Sequence, residues 1–125
     1  MSKLFKQARR GFTLVEIMIV VLIIGILLAI AVPNFIKARE SSRAKSCVAN
    51  LKQIESAKEQ WAMDTKAGPT ATPVLGTDLV PNYIKTTPQC PTAGAYTVGN
   101  MNTRPVCSIN DNGTAADTSD DHILP

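Results

Sequence analysis

One apolar run near the N-terminus constrains the fold of this chain more than any other feature. It extends from Phe12 to Val32, a stretch of 21 residues in which Glu16 is the only charged side chain. At ~1.5 Å per residue, a helix of that length spans about 30 Å, the thickness of a bilayer core. The run therefore predicts a transmembrane helix. The rest of the 125-residue chain can form one small domain at most.

The formal net charge of +3 is concentrated at one end of the chain. The basic residues Lys3, Lys6, Arg9 and Arg10 precede the apolar run, and the remainder is close to neutral. Such a flank predicts that the N-terminus stays in the cytoplasm and that the C-terminus lies outside it. Because the positive charge does not form a patch across a fold, a nucleic acid is not expected as a direct ligand.

Two ordinary explanations of the apolar run leave Glu16 unexplained. A secretory signal peptide would be shorter, and the A-x-A pattern at residues 29–31 is followed by charged, helix-forming sequence. A simple signal anchor explains the length and the basic flank but not the acid. Glu16 is either an interfacial carboxylate or the partner of a cation. Cleavage between Gly11 and Phe12 would supply that cation, the α-amino group of Phe12 in a neighbouring copy.

Residues 10–16, Arg-Gly-Phe-Thr-Leu-Val-Glu, and the apolar run after them resemble the prepilin leader and N-terminal helix of type IV pilins and type II secretion pseudopilins. The resemblance covers about residues 3–61. It implies cleavage after Gly11 by a prepilin peptidase, N-methylation of Phe12, and neutralisation of the Phe12 amine by Glu16 of an adjacent subunit. It also implies an inner-membrane assembly platform as a partner and a homo-oligomeric filament in the periplasm or at the cell surface.

The helix is predicted to continue beyond the membrane. Pro33 should kink or loosen it near residues 25–33, but residues 34–64 contain helix formers and no further Gly or Pro. Lys45, Lys52, Glu55, Glu59 and Lys66 are expected on a solvated face. Apolar side chains recur at helical spacing and form a stripe that needs a cover: Ala44, Cys47, Val48, Leu51, Ile54, Ala57 and Trp61.

The composition changes after residue 67. Seven of the eight prolines lie beyond residue 68, which excludes a second long helix. Residues 77–80 predict one helical turn capped by Thr77 or Asp78, and residues 95–98 and 105–109 predict two short strands around a turn-rich loop.

The predicted fold class is thus α+β, a long N-terminal transmembrane and amphipathic helix packed against a small antiparallel β-sheet head, as in the pilin fold. The predicted segments are a cleaved leader at 1–11, an assembly helix at 12–33, its amphipathic continuation at 34–66, and a β head with an acidic loop at 67–125.

Three cysteines require partners or burial. Cys90 and Cys107 flank the predicted hairpin outside the cytoplasm, where disulfides persist, so the sequence predicts a bridge between them. Closing a loop of that size stabilises a fold by ~3 kcal/mol in the chain-entropy model. Cys47 lies on the helix stripe and is expected as a buried thiol. The only histidine, His122, has no C-x-x-C pattern nearby, which argues against zinc.

The acidic tail offers candidate calcium ligands in Asp117, Asp120 and Asp121. The family resemblance supports them, because major pseudopilins of type II secretion carry a calcium site near the C-terminus. The spacing lacks the D-x-[DN]-x-[DN]-G order of an EF-hand loop, however, and a solvated polar loop is the alternative.

No catalytic pattern is present in the sequence, which has one His, no G-x-S-x-G and no phosphate-binding glycine loop, so an enzyme is not expected. Two function classes remain. One is a structural filament subunit, a major-type pseudopilin or small pilin that serves secretion, adhesion, motility or DNA uptake. The other is a monomeric membrane-anchored binding module outside the cytoplasm, with calcium as a candidate ligand. Only the filament subunit needs both the cut after Gly11 and Glu16.

Overall fold

A computed structural model describes residues 11–109 and 121–125. In chain order its elements are helix α1 (Leu14–Thr65), a one-turn π-helix (Leu75–Leu79), and strands β1 (Tyr96–Thr97) and β2 (Val106–Cys107). The predicted α+β class is confirmed. The chain divides into two compact units, Met1–Ile36 and Lys37–Pro125, which are described separately.

In the first unit, α1 is apolar on all sides. Its large hydrophobic side chains are exposed from Leu14 to Ile36, and its most apolar window has a mean hydropathy of 3.2 with none of that window buried. By length and composition this helix can cross a membrane. The α-helix is continuous through Pro33. The kink expected near Pro33 stays a prediction.

In the second unit, α1 buries a single stripe. Val48 and Trp61, which were predicted on this stripe, are half-buried. The stripe follows the spacing of the sequence because positions three and four apart lie on one face of a helix. Its buried members are Ala44, Cys47, Leu51, Ile54, Ala57 and Lys58.

The end of α1 is set by backbone geometry at Lys66. This residue has a positive φ of 51°, and the N–H of Ala67 donates to the carbonyl of Ala62 at 3.0 Å. A left-handed residue just beyond the last helical turn closes the helix by satisfying a terminal carbonyl. Gly68 disfavours a helix, and Pro69 lacks the N–H that a further helical turn would need.

The head covers the C-terminal part of the stripe with one apolar cluster. The buried residues of this cluster come from α1, the π-helical turn, the loop after that turn and the residue that follows β1: Ile54, Ala57, Leu79, Ile84 and Val98. The predicted helical turn exists but begins at Leu75, and its assigned cap was wrong. Asp78 lies inside the turn, where its Oδ2 accepts a hydrogen bond from the N–H of Val74 at 2.7 Å. Thr77 is exposed, and its hydroxyl donates to Asp78 Oδ1 at 3.4 Å.

The hairpin pairs β1 with β2 in antiparallel register, with Tyr96 opposite Cys107 and Thr97 opposite Val106. The strands are two residues each, shorter than predicted. Gly99 lies in the connecting loop with a φ of 69°, and a Cβ there would lie 2.3 Å from the hydroxyl oxygen of Thr103. The loop therefore requires glycine both for its backbone conformation and for space.

Lys58 anchors this loop to the helix. The side chain is only 2% exposed, and its Nζ donates to the carbonyls of Val98 at 3.3 Å, Asn100 at 3.0 Å, and Thr103. Burial lowers the pKa of Lys58, and the nearby charges of Glu55 and Glu59 oppose that shift. The stripe predicted from the sequence does not include Lys58. Its spacing, four residues after Ile54, was the available signal that it lies on the buried stripe.

Replacing Lys58 with Ala should destabilise the head by about 2–4 kcal/mol, because its ammonium group holds three carbonyls of one loop and one of these hydrogen bonds is fully buried. The matched control is Lys52→Ala, an exposed lysine on the same helix, which should change the free energy of unfolding by less than about 0.5 kcal/mol. Denaturant unfolding of the full chain in detergent, followed by Trp61 fluorescence, measures both. Equal midpoints for the two variants would contradict the anchoring role.

Candidate functional site

The predicted cleavage site lies at the exposed start of the described chain. Phe12 is 80% exposed, and no described atom lies within 4 Å of where a Cβ on Gly11 would be. Neither residue is part of α1, which begins at Leu14. Among the described residues, the peptide bond between Gly11 and Phe12 thus lies in exposed chain outside any helix or strand. Residues 1–10 of the predicted leader lie outside the described residues.

Thr13 caps the N-terminus of α1. The backbone N–H of Glu16 donates to Thr13 Oγ1 at 3.2 Å, and the N–H of Ile17 donates to the Thr13 carbonyl at 3.3 Å. The order Thr-Leu-Val-Glu is the capping-box pattern, a signal that was readable in the sequence but was not used there. Glu16 also stands in the first helical turn, where the helix dipole favours a negative charge. The acid thus has a role within its own chain besides the predicted pairing with Phe12 of a neighbour.

A cluster of soft metal-binding side chains lies in the head. Cys47 is on α1, Cys90 is in the loop before β1, Cys107 is on β2 and His122 is in the C-terminal segment. Their ligand atoms, the three Sγ atoms and one ring nitrogen, all lie within 4.8 Å of one another. All four residues are buried, and the cysteines are free thiols. The structure therefore brings the predicted pair Cys90 and Cys107 together and adds two residues that the sequence had kept apart.

Hydrogen bonds fix the side chains around this cysteine–histidine cluster. Cys90 Sγ lies 3.1 Å from Thr92 Oγ1 and 3.6 Å from His122 Nδ1. On the helix side, the hydroxyl of Tyr96 donates to Cys47 Sγ at 3.5 Å and accepts a hydrogen bond from Asn50 Nδ2 at 3.0 Å. Asn50 also donates to the carbonyl of Gln89 at 2.9 Å, which ties the loop of Cys90 to the helix.

The thiols of Cys47 and Cys90 differ in acidity. Burial raises the pKa of Cys47 to about 12, with the hydrogen bond from Tyr96 opposing the shift. Burial also disfavours the Cys90 thiolate, but hydrogen bonds from the Thr92 hydroxyl and from the backbone N–H groups of Thr92 and Gly94 outweigh it and lower the pKa of Cys90 to about 6. The surroundings of Cys90 thus favour the thiolate, whereas those of Cys47 favour the protonated thiol.

Of the predicted calcium ligands, only Asp121 falls within the described chain. Its Oδ1 is buried and has no hydrogen-bond partner among the residues of known position. Lys45 and Lys52 line the same groove, and their positive charge opposes a cation there. Asp117 and Asp120 lie outside the described residues.

Comparison with known proteins shows which family this chain resembles. The family model of the prokaryotic N-terminal methylation motif matches residues 6–32. The type II secretion system core protein G of Klebsiella michiganensis is 33% identical over 104 residues, which cover 73% of each chain. The chain belongs to the type IV pilin and type II secretion pseudopilin family.

Other relatives agree with this membership. The core protein G of Aeromonas hydrophila is 32% identical over 104 residues, again 73% of each chain. The type IV major pilin protein PilA of Myxococcus xanthus is 51% identical over 57 residues, which are 46% of this chain but only 26% of PilA. No solved structure gives a significant match. The comparisons confirm the family resemblance, while the Cys90–Cys107 bridge and the roles of Phe12 and Glu16 stay predictions.

Proposed function

We propose that this pilin-family chain is a structural subunit of a type IV pilus-like filament, processed by a prepilin peptidase and polymerised through its N-terminal helix. The observation that carries the proposal is the exposed apolar half of α1, which is capped by Thr13 and has Glu16 in its first turn, inside the matched methylation motif. An apolar helix exposed on all sides needs either lipid or other helices around it. Before assembly, the membrane surrounds the helix with lipid. Within a filament, a bundle of copies surrounds it with other helices.

A secretion-type pseudopilin is the favoured subunit type. The chain aligns with 73% of core protein G but with only 26% of PilA, so its head is closer in length to the secretion proteins. We infer that it is a major-type pseudopilin, with a small pilin as the second candidate.

We expect the subunit to have a structural role and no enzymatic activity. Its basic leader predicts a single-pass protein of the inner membrane with the head outside the cytoplasm, and an assembly platform would then move it into a periplasmic or cell-surface filament. A monomeric anchored binding module is the competing function. That module would need neither leader cleavage nor Glu16, so these two features separate the candidates.

Processing gives the first test of the proposed function. When the full chain is expressed in membranes with a prepilin peptidase, intact-mass analysis should find a mature N-terminus at Phe12 carrying one N-methyl group. Expression without the peptidase is the control and should retain the leader. A leader retained in the presence of the peptidase, or a new terminus beyond Val32, would contradict the proposal.

Glu16→Ala should insert and be processed normally but fail to form filaments. An unpaired α-ammonium or carboxylate near hydrocarbon costs ~2.5–3.5 kcal/mol at the depth of a helix centre and less near the interface, and pairing between subunits removes both costs. We therefore expect the yield of sheared filaments to fall at least ~10-fold, the equivalent of ~1.4 kcal/mol. Glu16→Gln should fall nearly as far, because it keeps the shape of the side chain but loses the charge.

Thr13→Ala is the matched control for this experiment. It removes the cap of α1 at a cost of about 0.5–2 kcal/mol but retains the carboxylate of Glu16. Membrane fraction, N-terminal sequence and filament yield are measured separately for every variant. Normal filaments from Glu16→Ala would leave Glu16 with only its role in the first helical turn, and equal losses from Thr13→Ala would assign the defect to the helix end.

We also propose that Asp121, with Asp117 and Asp120, contributes to a weak calcium site in the head. The support is the buried Oδ1 of Asp121, which has no hydrogen-bond partner among the described residues. A bound calcium ion would have to outweigh the opposing charge of Lys45 and Lys52 in the same groove. Calorimetry on the full chain in detergent should show calcium binding at millimolar levels that Asp121→Asn weakens. Glu59→Gln, which removes an exposed carboxylate from α1, should leave binding unchanged. No heat of binding in the wild-type chain would refute this site.

A further inference from the structure

We propose that Cys47, Cys90, Cys107 and His122 together bind a structural zinc ion. Three sulfurs and one imidazole form a complete tetrahedral set of the donors that zinc prefers, and a structural site uses all four. The inference concerns the stability of the head, and it does not depend on whether the chain forms filaments.

The distances fit zinc without rearrangement of the backbone. A tetrahedral ion with zinc–sulfur bonds of about 2.3 Å places its ligand atoms ~3.8 Å apart. The four ligand atoms here already lie within 4.8 Å of one another, and Cys90 Sγ is 3.6 Å from His122 Nδ1. Small rotations of side chains that already converge on one point would complete the coordination.

The space beside the sulfurs is kept open by a glycine. A Cβ on Gly94 would lie 2.5 Å from Cys107 Sγ and 3.3 Å from Cys90 Sγ. Because both sulfurs are buried, they have little room to move away from such an atom. The loop of Cys90 thus requires a residue without a side chain next to two of the four ligands.

A second layer of donors surrounds the cluster. Thr92 Oγ1 lies 3.1 Å from Cys90 Sγ, and the Tyr96 hydroxyl donates to Cys47 Sγ at 3.5 Å. Partners of this kind orient metal ligands and stabilise the thiolates that a metal requires. When zinc binds, each thiol that is still protonated releases its proton to solvent.

A disulfide would use only part of this arrangement. The predicted bridge between Cys90 and Cys107 leaves the Cys47 thiol and the His122 imidazole in contact with it but without a function. It is the competing state, because disulfides persist outside the cytoplasm. Zinc uses all four side chains and joins four separate segments, namely α1, the loop before β1, β2 and the C-terminal segment. Such a linkage would stabilise a small head whose apolar core is limited.

The first experiment uses the wild-type full chain, purified in detergent without chelator or reducing agent. Elemental analysis should find about one zinc per chain. Alkylation after denaturation, read by mass spectrometry, should modify all three cysteines. A chain without zinc in which only Cys47 is alkylated would establish the bridge and overturn the proposal. Three alkylated cysteines without zinc, together with no binding of added zinc or cobalt, would overturn it as well.

Variants then test the ligand set. His122→Ala keeps all three thiols and does not impede a disulfide, but it should weaken zinc binding more than ~10-fold in competition with a chelator. In the cobalt-loaded protein it should also change the visible absorption of the thiolate-bound ion. Met63→Ala, at a position that is 72% exposed on α1, is the control and should bind zinc like the wild type. Unchanged zinc affinity in His122→Ala would exclude the histidine as a ligand and with it the proposed site.

Discussion

The head depends on the burial of one stripe of α1. Its hairpin has strands of only two residues each, and such a pair is not stable in water by itself. Leu51 and Ile54 are completely buried under the head, and the loops that cover them contain little regular structure of their own. The helix is therefore the template on which the loops are ordered, and any change that uncovers the stripe should affect every contact in the head.

Polar anchors supplement this apolar contact at two places. Lys58 holds the loop after β1 through three carbonyls, and the cysteine–histidine cluster holds the loop before β1 and the C-terminal segment. Tyr96 packs against the apolar cluster of Ile54 and also against the buried group of Leu51 and the three cysteines. A domain this small buries too little surface to rely on apolar contacts alone, so specific polar contacts decide which loop conformation is adopted.

The two halves of α1 meet different physical requirements. The half that begins at Leu14 exposes apolar side chains on all sides, whereas the half in the second unit buries one side and exposes charged residues on the other. An exposed apolar helix is stable in lipid or among other helices. Membership of the pilin and pseudopilin family explains why the first half of α1 has such a surface. Thr13 and Glu16 then define where that helix begins.

The sequence by itself determined the features that depend on neighbours along the chain. Helical spacing predicted the buried stripe, the turn-rich loop predicted the hairpin, and the capping pattern at Thr13 was equally readable. The calcium ligands Asp117 and Asp120 stay predictions. Tertiary structure alone decided that Lys58 donates to a loop some forty residues away and that His122 joins the three cysteines. These contacts join segments that are distant in sequence, and their proximity is set by how the loops pack on the helix, which no local pattern encodes.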